Sequence, residues 1–382
     1  MSAYLDAEQI MLKEQVDKWL RENVTPIINK HEADCTFPFE ILDDLKNFGY
    51  LGGKIPEADG GFDLPYVTWA MLMESAGYCW GSLRTIVNIT NGTIQKLSKF
   101  GTPEQKEKWL KPLLNNEIRC CTGLSEPNVG SNVRGIECKA VKQGDHYVIS
   151  GQKLWITNGI NADICQLVAR TYSDECDGEL STFIVEKGMP GYSARRVEKL
   201  VLRPTGTSEL TLDNVKVPVE NRLGPEGKAL SGTLAGLNTA RVNIAMGAVG
   251  QAQSALDISI DYVKSRRQFG KLIGEFQLVQ KYIVDMTMRV KAARALGYTA
   301  AQALDRGLEA REDCSMAKLY ATKAAFEVAD MALQVHGGLG YAVGYPIERI
   351  FRDTKGGMIP EGTVEVQTLI AGREILGLNA IT

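Results

Sequence analysis

Residues 146–159 read HYVISGQKLWITNG. Apolar and polar residues alternate along the run, β-branched and aromatic residues are dense, and Asn158-Gly159 closes it. That is the pattern of a strand, whose side chains point alternately to two faces. ICQLVARTY (164–172), STFIVEKG (181–188) and SELTLDNVKVP (208–218) read the same way, with Gly, Asn and Asp between them. The middle of the chain is therefore expected to be a mostly antiparallel sheet, barrel-like in form.

Outward from this zone the period changes. EQIMLKEQVDKWLREN (8–23) and FEILDDLKNFGYLG (39–52) repeat apolar residues at helical spacing. Thr102-Pro103-Glu104 offers an N-cap, a Pro at N1 and an acid in the first turn. On the C-terminal side, residues 233–270 predict a helix of some thirty residues. A second is expected from Glu275 to about Asp305, a third from about Cys314 to Val335, and a shorter one after Gly362. Ala245, Gly247, Ala248, Gly250 and Ala252 would let neighbouring backbones approach closely. The expected fold is α+β and mostly α: an N-terminal helical domain (1–120), a middle antiparallel β domain (121–230) and a C-terminal four-helix bundle (231–382). Strands do not alternate with helices, which disfavours a doubly wound nucleotide fold. No GxGxxG opens a helix after a strand, and no GxxxxGK[ST] occurs.

Composition narrows the function. Of 382 residues, 44% are hydrophobic and 23% charged, the balance of a folded globular protein. Lys plus Arg number 43 against 46 Asp plus Glu, so no basic excess marks a nucleic-acid partner. No run of 18 apolar residues would span a membrane. The start, MSAYLDAEQIMLKEQ, reads as neither a signal nor a transit peptide. The eight cysteines form no CxxC pair and there are three histidines, which argues against a metal site or a disulfide framework. A reducing, cytoplasmic setting is the expectation.

Four stretches carry chemistry. In a regular strand Trp155 and Thr157 share a face, and an indole beside a hydroxyl suits a flat aromatic ligand with polar edges; an edge strand with one buried Trp is the plainer reading of this stretch alone. LSEPNVGSN (124–132) is a tight loop with hydroxyls at 125 and 131 that could hold a phosphate or a ring edge, or be a plain turn. Arg266-Arg267-Gln268-Phe269-Gly270 is a cationic knob at a helix end, able to clamp pyrophosphate or simply to satisfy the helix dipole. In Met358-Ile359-Pro360-Glu361-Gly362-Thr363 one carboxylate sits in apolar surroundings. Such a setting raises its pKa and suits a base that takes a C–H proton; a helix N-terminal acid is the other reading.

Taken together and in this order, these motifs resemble the acyl-CoA dehydrogenases, along nearly the whole chain. SEPNVGSN, LWITNG, LRPTGTSELTLDNVKVP, RRQFGKLIGEFQ, QVHGGLGY with PIERIFRD, and PEGTVEVQ with GREIL carry the resemblance. It implies FAD as cofactor, an acyl-CoA substrate, electron-transfer flavoprotein as electron acceptor and a homotetramer built as a pair of dimers. It implies Glu361 as the base that removes the α-proton while a hydride leaves to the flavin. The thioester carbonyl would be polarised by the Glu361 N–H and a ribityl hydroxyl, each worth roughly 3–4 kcal/mol. Some relatives place the base just before the Arg matching Arg241, where this chain has Ala240. The resemblance implies that Leu124, Ser125, Trp155, Thr157, Arg266, Gln268, Phe269, Gln334, Gly338 and Thr363 meet FAD, and that Ser131, Arg241 and Gly362 meet the substrate.

The chain also departs from the pattern. Pro360 replaces a common Tyr, Glu365 a common Gln and Asn132 a common Asp. Arg84 stands where fatty-acyl members are apolar, with Asn88, Thr90 and Thr93 close by. Members acting on glutaryl-CoA place an Arg nearby to hold a distal carboxylate. Arg84 thus reads either as a distal-anion anchor, with Pro360 favouring a non-decarboxylating reaction, or as a side chain turned to solvent. An enoyl-thioester reductase, a carrier-protein-linked dehydrogenase, a flavin oxidase and a non-catalytic scaffold are the competing readings.

Overall fold

The structure is a computed structural model that describes residues 3–380, with the backbone alone for 231–235. Helix α1 (Ala7–Asn23) starts on a capping box: Asp6 accepts from the Gln9 N–H at 2.8 Å, and the Gln9 side chain accepts from the Asp6 N–H. Stretch 39–52 yields only a short helix, Ile41–Leu45, because the chain turns at Gly49 with φ +86°. Helices α2 (Tyr66–Cys79) and α3 (Gly81–Phe100) follow, joined at Trp80. The Thr102 cap forms as the sequence suggests, and the structure adds Gln105 as its reciprocal partner.

The sheet holds β1 (Cys120–Gly123), β2 (Lys139–Gln143), β3 (His146–Ile156), β4 (Ile164–Tyr172), β5 (Asp177–Glu186), β6 (Tyr192–Arg196), β7 (Ser208–Pro218) and β8 (Arg222–Leu223). Their order is β6-β7-β3-β2-β4-β5-β8, with β1 also on β4. Pairing is mostly antiparallel, but β1 and β2 both run parallel to β4. One edge of β4 is shared between them: β1 takes Ile164–Leu167 and β2 takes Arg170–Tyr172. No pairing joins β6 to β8 among the described residues, so the sheet is not seen to close into the expected barrel.

Beyond the sheet come α4 (Ala229–Ser265), a small hairpin of β9 (Arg267–Gln268) and β10 (Lys271–Leu272), α5 (Gln277–Asp305), α6 (Arg311–His336), α7 (Pro346–Gly356) and α8 (Val364–Leu376). The sequence gives no separate expectation for α7, whose start is marked by Pro346 at N1. Helix α6 packs on α4, α5 and α8, and α2 covers another side of α4. The last contact is very close. A Cβ on Gly77 would lie 2.2 Å from the Gly247 carbonyl, and one on Gly250 would lie 2.1 Å from the Glu74 carbonyl. Only glycine permits that approach, as the small-residue pattern in α4 implies. Buried apolar side chains form two clusters, a large one among the helices and a smaller one in the sheet. Among the described residues no helix is long and apolar enough to cross a membrane.

Candidate active site

The turn before α8 carries Glu361. Its backbone is left-handed at two successive residues, Glu361 (φ +57°) and Gly362 (φ +85°). For a glutamate that conformation is strained and must be held by its surroundings. Two buried side chains hold it. Lys318 Nζ, from α6, donates to the Pro360 carbonyl at 2.6 Å and to the Gly362 carbonyl. Gln367 Nε2, from α8, donates to the Glu361 and Gly362 carbonyls at 3.0 Å each. Thr363 caps α8, its hydroxyl oxygen accepting from the Val366 N–H.

Burial raises the Glu361 pKa, and four cations oppose the rise: Lys318, Lys96, Arg84 and Arg241. They come from α6, α3 and α4, so three helices bring positive charge to one carboxylate. Burial brings the Lys318 amine down to about 8 and the Lys96 amine also to about 8, each partly restored by Glu361. Arg84 is only 5% exposed. Burial lowers its guanidinium to about 10, with Glu361 and Asp353 acting the other way. The reading of Arg84 as a side chain turned to solvent is thereby overturned. The helix begins immediately after Trp80, and Arg84 lies in its first turns, against α4. Its stem lies on Gly247, where a Cβ would come within 2.8 Å of Arg84 Cγ, Cδ and Nε. Among the described residues the guanidinium makes no hydrogen bond or ion pair of its own. Arg241 is buried too, with Nη1 on Asn238 Oδ1 at 2.9 Å and Nε unpaired.

A second group gathers on the sheet. The Leu154 N–H donates to the Ser125 carbonyl at 2.9 Å, and Lys153 Nζ donates to the Leu124 carbonyl at 3.2 Å and to Glu126 Oε1 at 2.8 Å. Leu124 and Ser125 are thus brought beside Trp155 and Thr157. The regular alternation expected there breaks: β3 ends at Ile156, its register on β7 shifts after Lys153, and Trp155 has φ +64°. Trp155 is 60% exposed, which also overturns its reading as a buried edge-strand residue. A wide bare indole of this kind offers an apolar face to a planar ring. Ser131 is exposed on the same loop.

The remaining expected cofactor residues lie at one end of the C-terminal helices. Arg266, Gln268 and Phe269 sit at the hairpin after α4, with Phe269 91% exposed. Gln334 and Gly338 are exposed at the end of α6. Tyr262 stacks on His336 with ring centroids 4.3 Å apart, which joins the two segments. Gly337 ends α6, so the glycine-rich stretch is also a helix C-cap. Lys318, Lys96 and Gln367 escape the sequence reading. Lys318 left a signal: it is a lone cation on the α6 face that carries Cys314, Ala317, Ala321 and Ala325, all buried. Among the described residues no group of three or more His, Cys, Asp or Glu could hold a metal ion.

Comparison with known proteins finds matches along nearly the whole chain. Residues 6–117, 121–215 and 230–376 match the N-terminal, middle and C-terminal domains of acyl-CoA dehydrogenase. The chain is 37% identical to the mitochondrial 2-methylacyl-CoA dehydrogenase of Solanum tuberosum, over 98% of this chain and 92% of that one. It is 36% identical to subunit CarC of the caffeyl-CoA reductase–Etf complex of Acetobacterium woodii, over 93% and 94%. The crystal structure of a glutaryl-CoA dehydrogenase from Mycobacterium smegmatis in complex with FADH2 superposes with a TM-score of 0.94 at 29% identity, covering 100% and 98%. Three matched domains and a shared fold along the whole chain make this protein a member of the acyl-CoA dehydrogenase family, the FAD-dependent oxidoreductases of acyl thioesters.

Proposed function

We propose that this enzyme dehydrogenates a short or medium acyl-CoA whose acyl group carries a distal anion, as glutaryl-CoA does, without decarboxylation. The observation that carries the reading is Arg84, a buried guanidinium without a hydrogen-bonded partner, close enough to Glu361 for the two charges to interact. An unpaired buried charge is costly, and a substrate carboxylate would offset that cost.

In this reading Glu361 removes the α-proton. Its raised pKa brings a carboxylate closer in basicity to the weakly acidic C–H. The cations around it keep it ionised before the proton arrives. FAD, when bound, supplies the acceptor for the β-hydride. Trp155, Thr157, Leu124 and Ser125 would line its ring, and the bare indole with the adjoining loop fits that group. Arg266, Gln268, Phe269, Gln334, Gly338 and Thr363 are proposed to meet the rest of the cofactor. Ser131, Arg241 and Gly362 are proposed to line the path of the thioester. Exposed Phe269, Leu278 and Val343 would be covered in a homotetramer, where the hairpin would reach a neighbouring subunit's cofactor. Electron-transfer flavoprotein is the proposed acceptor, supported by the relationship to a subunit of an Etf complex.

The test is anaerobic titration of the purified holoenzyme with butyryl-, octanoyl-, isobutyryl- and glutaryl-CoA, following the flavin band near about 450 nm. Glutaryl-CoA should bleach it best, and Glu361→Gln should abolish bleaching while leaving the ester bound. Arg84→Met should weaken the response to glutaryl-CoA by about 10²-fold or more and spare butyryl-CoA. Equal bleaching by neutral esters, insensitive to Arg84→Met, would overturn the distal-anion reading.

A further inference from the structure

The clamp on the Glu361 turn has a directional consequence. In a trans peptide the carbonyl and the following N–H point in opposite directions, and the chain has no cis peptide among the described residues. Drawing the Pro360 carbonyl onto Lys318 therefore turns the Glu361 N–H away from α6. Drawing the Glu361 carbonyl onto Gln367 does the same to the Gly362 N–H. Neither N–H donates to any acceptor among the described residues. Both clamping side chains have no exposed surface, so water does not compete for the carbonyls. Two free donors are thus left beside the carboxylate of the base, in a conformation that a glutamate would not keep unaided.

We propose that Lys318 is a positioning residue for the dehydrogenation: with Gln367 it locks the Pro360–Gly362 turn left-handed and so aims the Glu361 N–H at the carbonyl oxygen of the bound thioester. The inference rests on the acyl-thioester reading above. Proton removal from the α-carbon places negative charge on that oxygen, and a donor fixed in advance stabilises it without rearrangement. The charge of Lys318 has a second effect on the same turn, because it favours the ionised Glu361. One side chain thereby sets the direction of the donor and supports the charge of the base.

The test uses the holoenzyme and a CoA ester carbon-13-labelled at the thioester carbonyl, in its unsaturated product form so that no turnover occurs. Isotope-edited infrared or Raman spectra of the bound ester report carbonyl polarisation directly. In the unaltered enzyme the band should lie below its position in water. In Lys318→Met it should return toward that position while the ester stays bound. In turnover kcat should fall about 10²-fold with KM changed far less, and the acid limb of the pH profile should move to higher pH. Should Lys318→Met not fold, Gln367→Met removes the other half of the clamp and should shift the band in the same direction. A band and kcat unmoved in a folded Lys318→Met or Gln367→Met enzyme would overturn the inference alone. Failure of every ester to bind the unaltered enzyme would instead overturn the acyl-thioester reading beneath it.

Discussion

Glu361 is held between two opposed effects, and their balance can be measured. Burial favours the neutral acid, while Lys318, Lys96, Arg84 and Arg241 favour the carboxylate. The base works only when ionised, so kcat/KM rises as pH climbs through its pKa. Removing a cation withdraws support from the ionised form and raises that pKa. Lys96 isolates the effect, since it makes no hydrogen bond or ion pair among the described residues. Lys96→Met should move the acid limb of kcat/KM upward by roughly half to one pH unit. Thermal stability should hold or rise slightly, because an amine that burial has brought down to about 8 no longer has to be desolvated. An unmoved acid limb would show that the Lys96 charge does not reach the base. At this scale the sequence was legible where residue type declares chemistry. Glu361 between Pro and Gly stood out, whereas Lys96 and Lys318 did not, because a lysine on a helix is ordinarily a solvated one. Burial by other elements made them part of the site; Lys318 left a trace as a lone cation on an apolar face of α6, and Lys96 left none.

Elements were legible by period and misread where a single residue broke it. The helices at 7–23, 277–305 and 311–336 follow from apolar spacing. The end of β3 does not follow from alternation, since the left-handed backbone at Trp155 swings the indole out of register. The sharing of one β4 edge by β1 and β2 is a tertiary choice with no local signature. The small residues of α4 were visible in the sequence, but their second use was not. Gly77 of α2 admits the backbone of Gly247, while the missing side chain of Gly247 itself admits the stem of Arg84 from α3. Gly247→Ala would place a methyl group 2.8 Å from three atoms of that stem. It should destabilise the fold by about 1–3 kcal/mol, the usual cost of overpacking. It should also displace the guanidinium, so that preference for glutaryl-CoA over butyryl-CoA falls as it does in Arg84→Met. Thermal melting and the ester panel check the two effects separately. Retained preference in a destabilised variant would mean that Arg84 finds its place without help from the glycine.

Across the molecule, the N-terminal helices, the sheet and the C-terminal helices meet at one buried polar junction. Glu32 accepts from Trp80 Nε1 at 2.7 Å and lies 3.5 Å from Arg352 Nη2. The Leu202 N–H, from the loop before β7, donates to Asp353 Oδ1 at 2.7 Å, and Arg352 Nη1 donates to the Leu200 carbonyl at 3.1 Å. Lys199, brought down to about 8 by burial, donates to the Leu202 carbonyl at 2.6 Å and to Thr205 at 2.8 Å. Burial and the nearby Glu32 push Asp353 up to about 6, against 3.8 for a free carboxyl, while Leu202, Arg352 and Arg349 pull it down. The folded chain therefore binds this proton more tightly than the unfolded chain does. The extra stability is fully present below about pH 4, is lost as pH rises toward 6 and is absent above it, a swing of about 3 kcal/mol for two pH units. Asp353→Asn keeps an acceptor for the Leu202 N–H and removes the ionisation. The difference in melting temperature, variant minus unaltered enzyme, should grow in the variant's favour from pH 4 to 6 and then stay level. A difference that is constant over that range would exclude Asp353 as the titrating group. The junction also lies electrically beneath the site, since Asp353 and Glu361 are the two carboxylates whose charges support Arg84. A pH that neutralises Asp353 should therefore strengthen the fold while leaving Arg84 more dependent on an anion carried by the substrate.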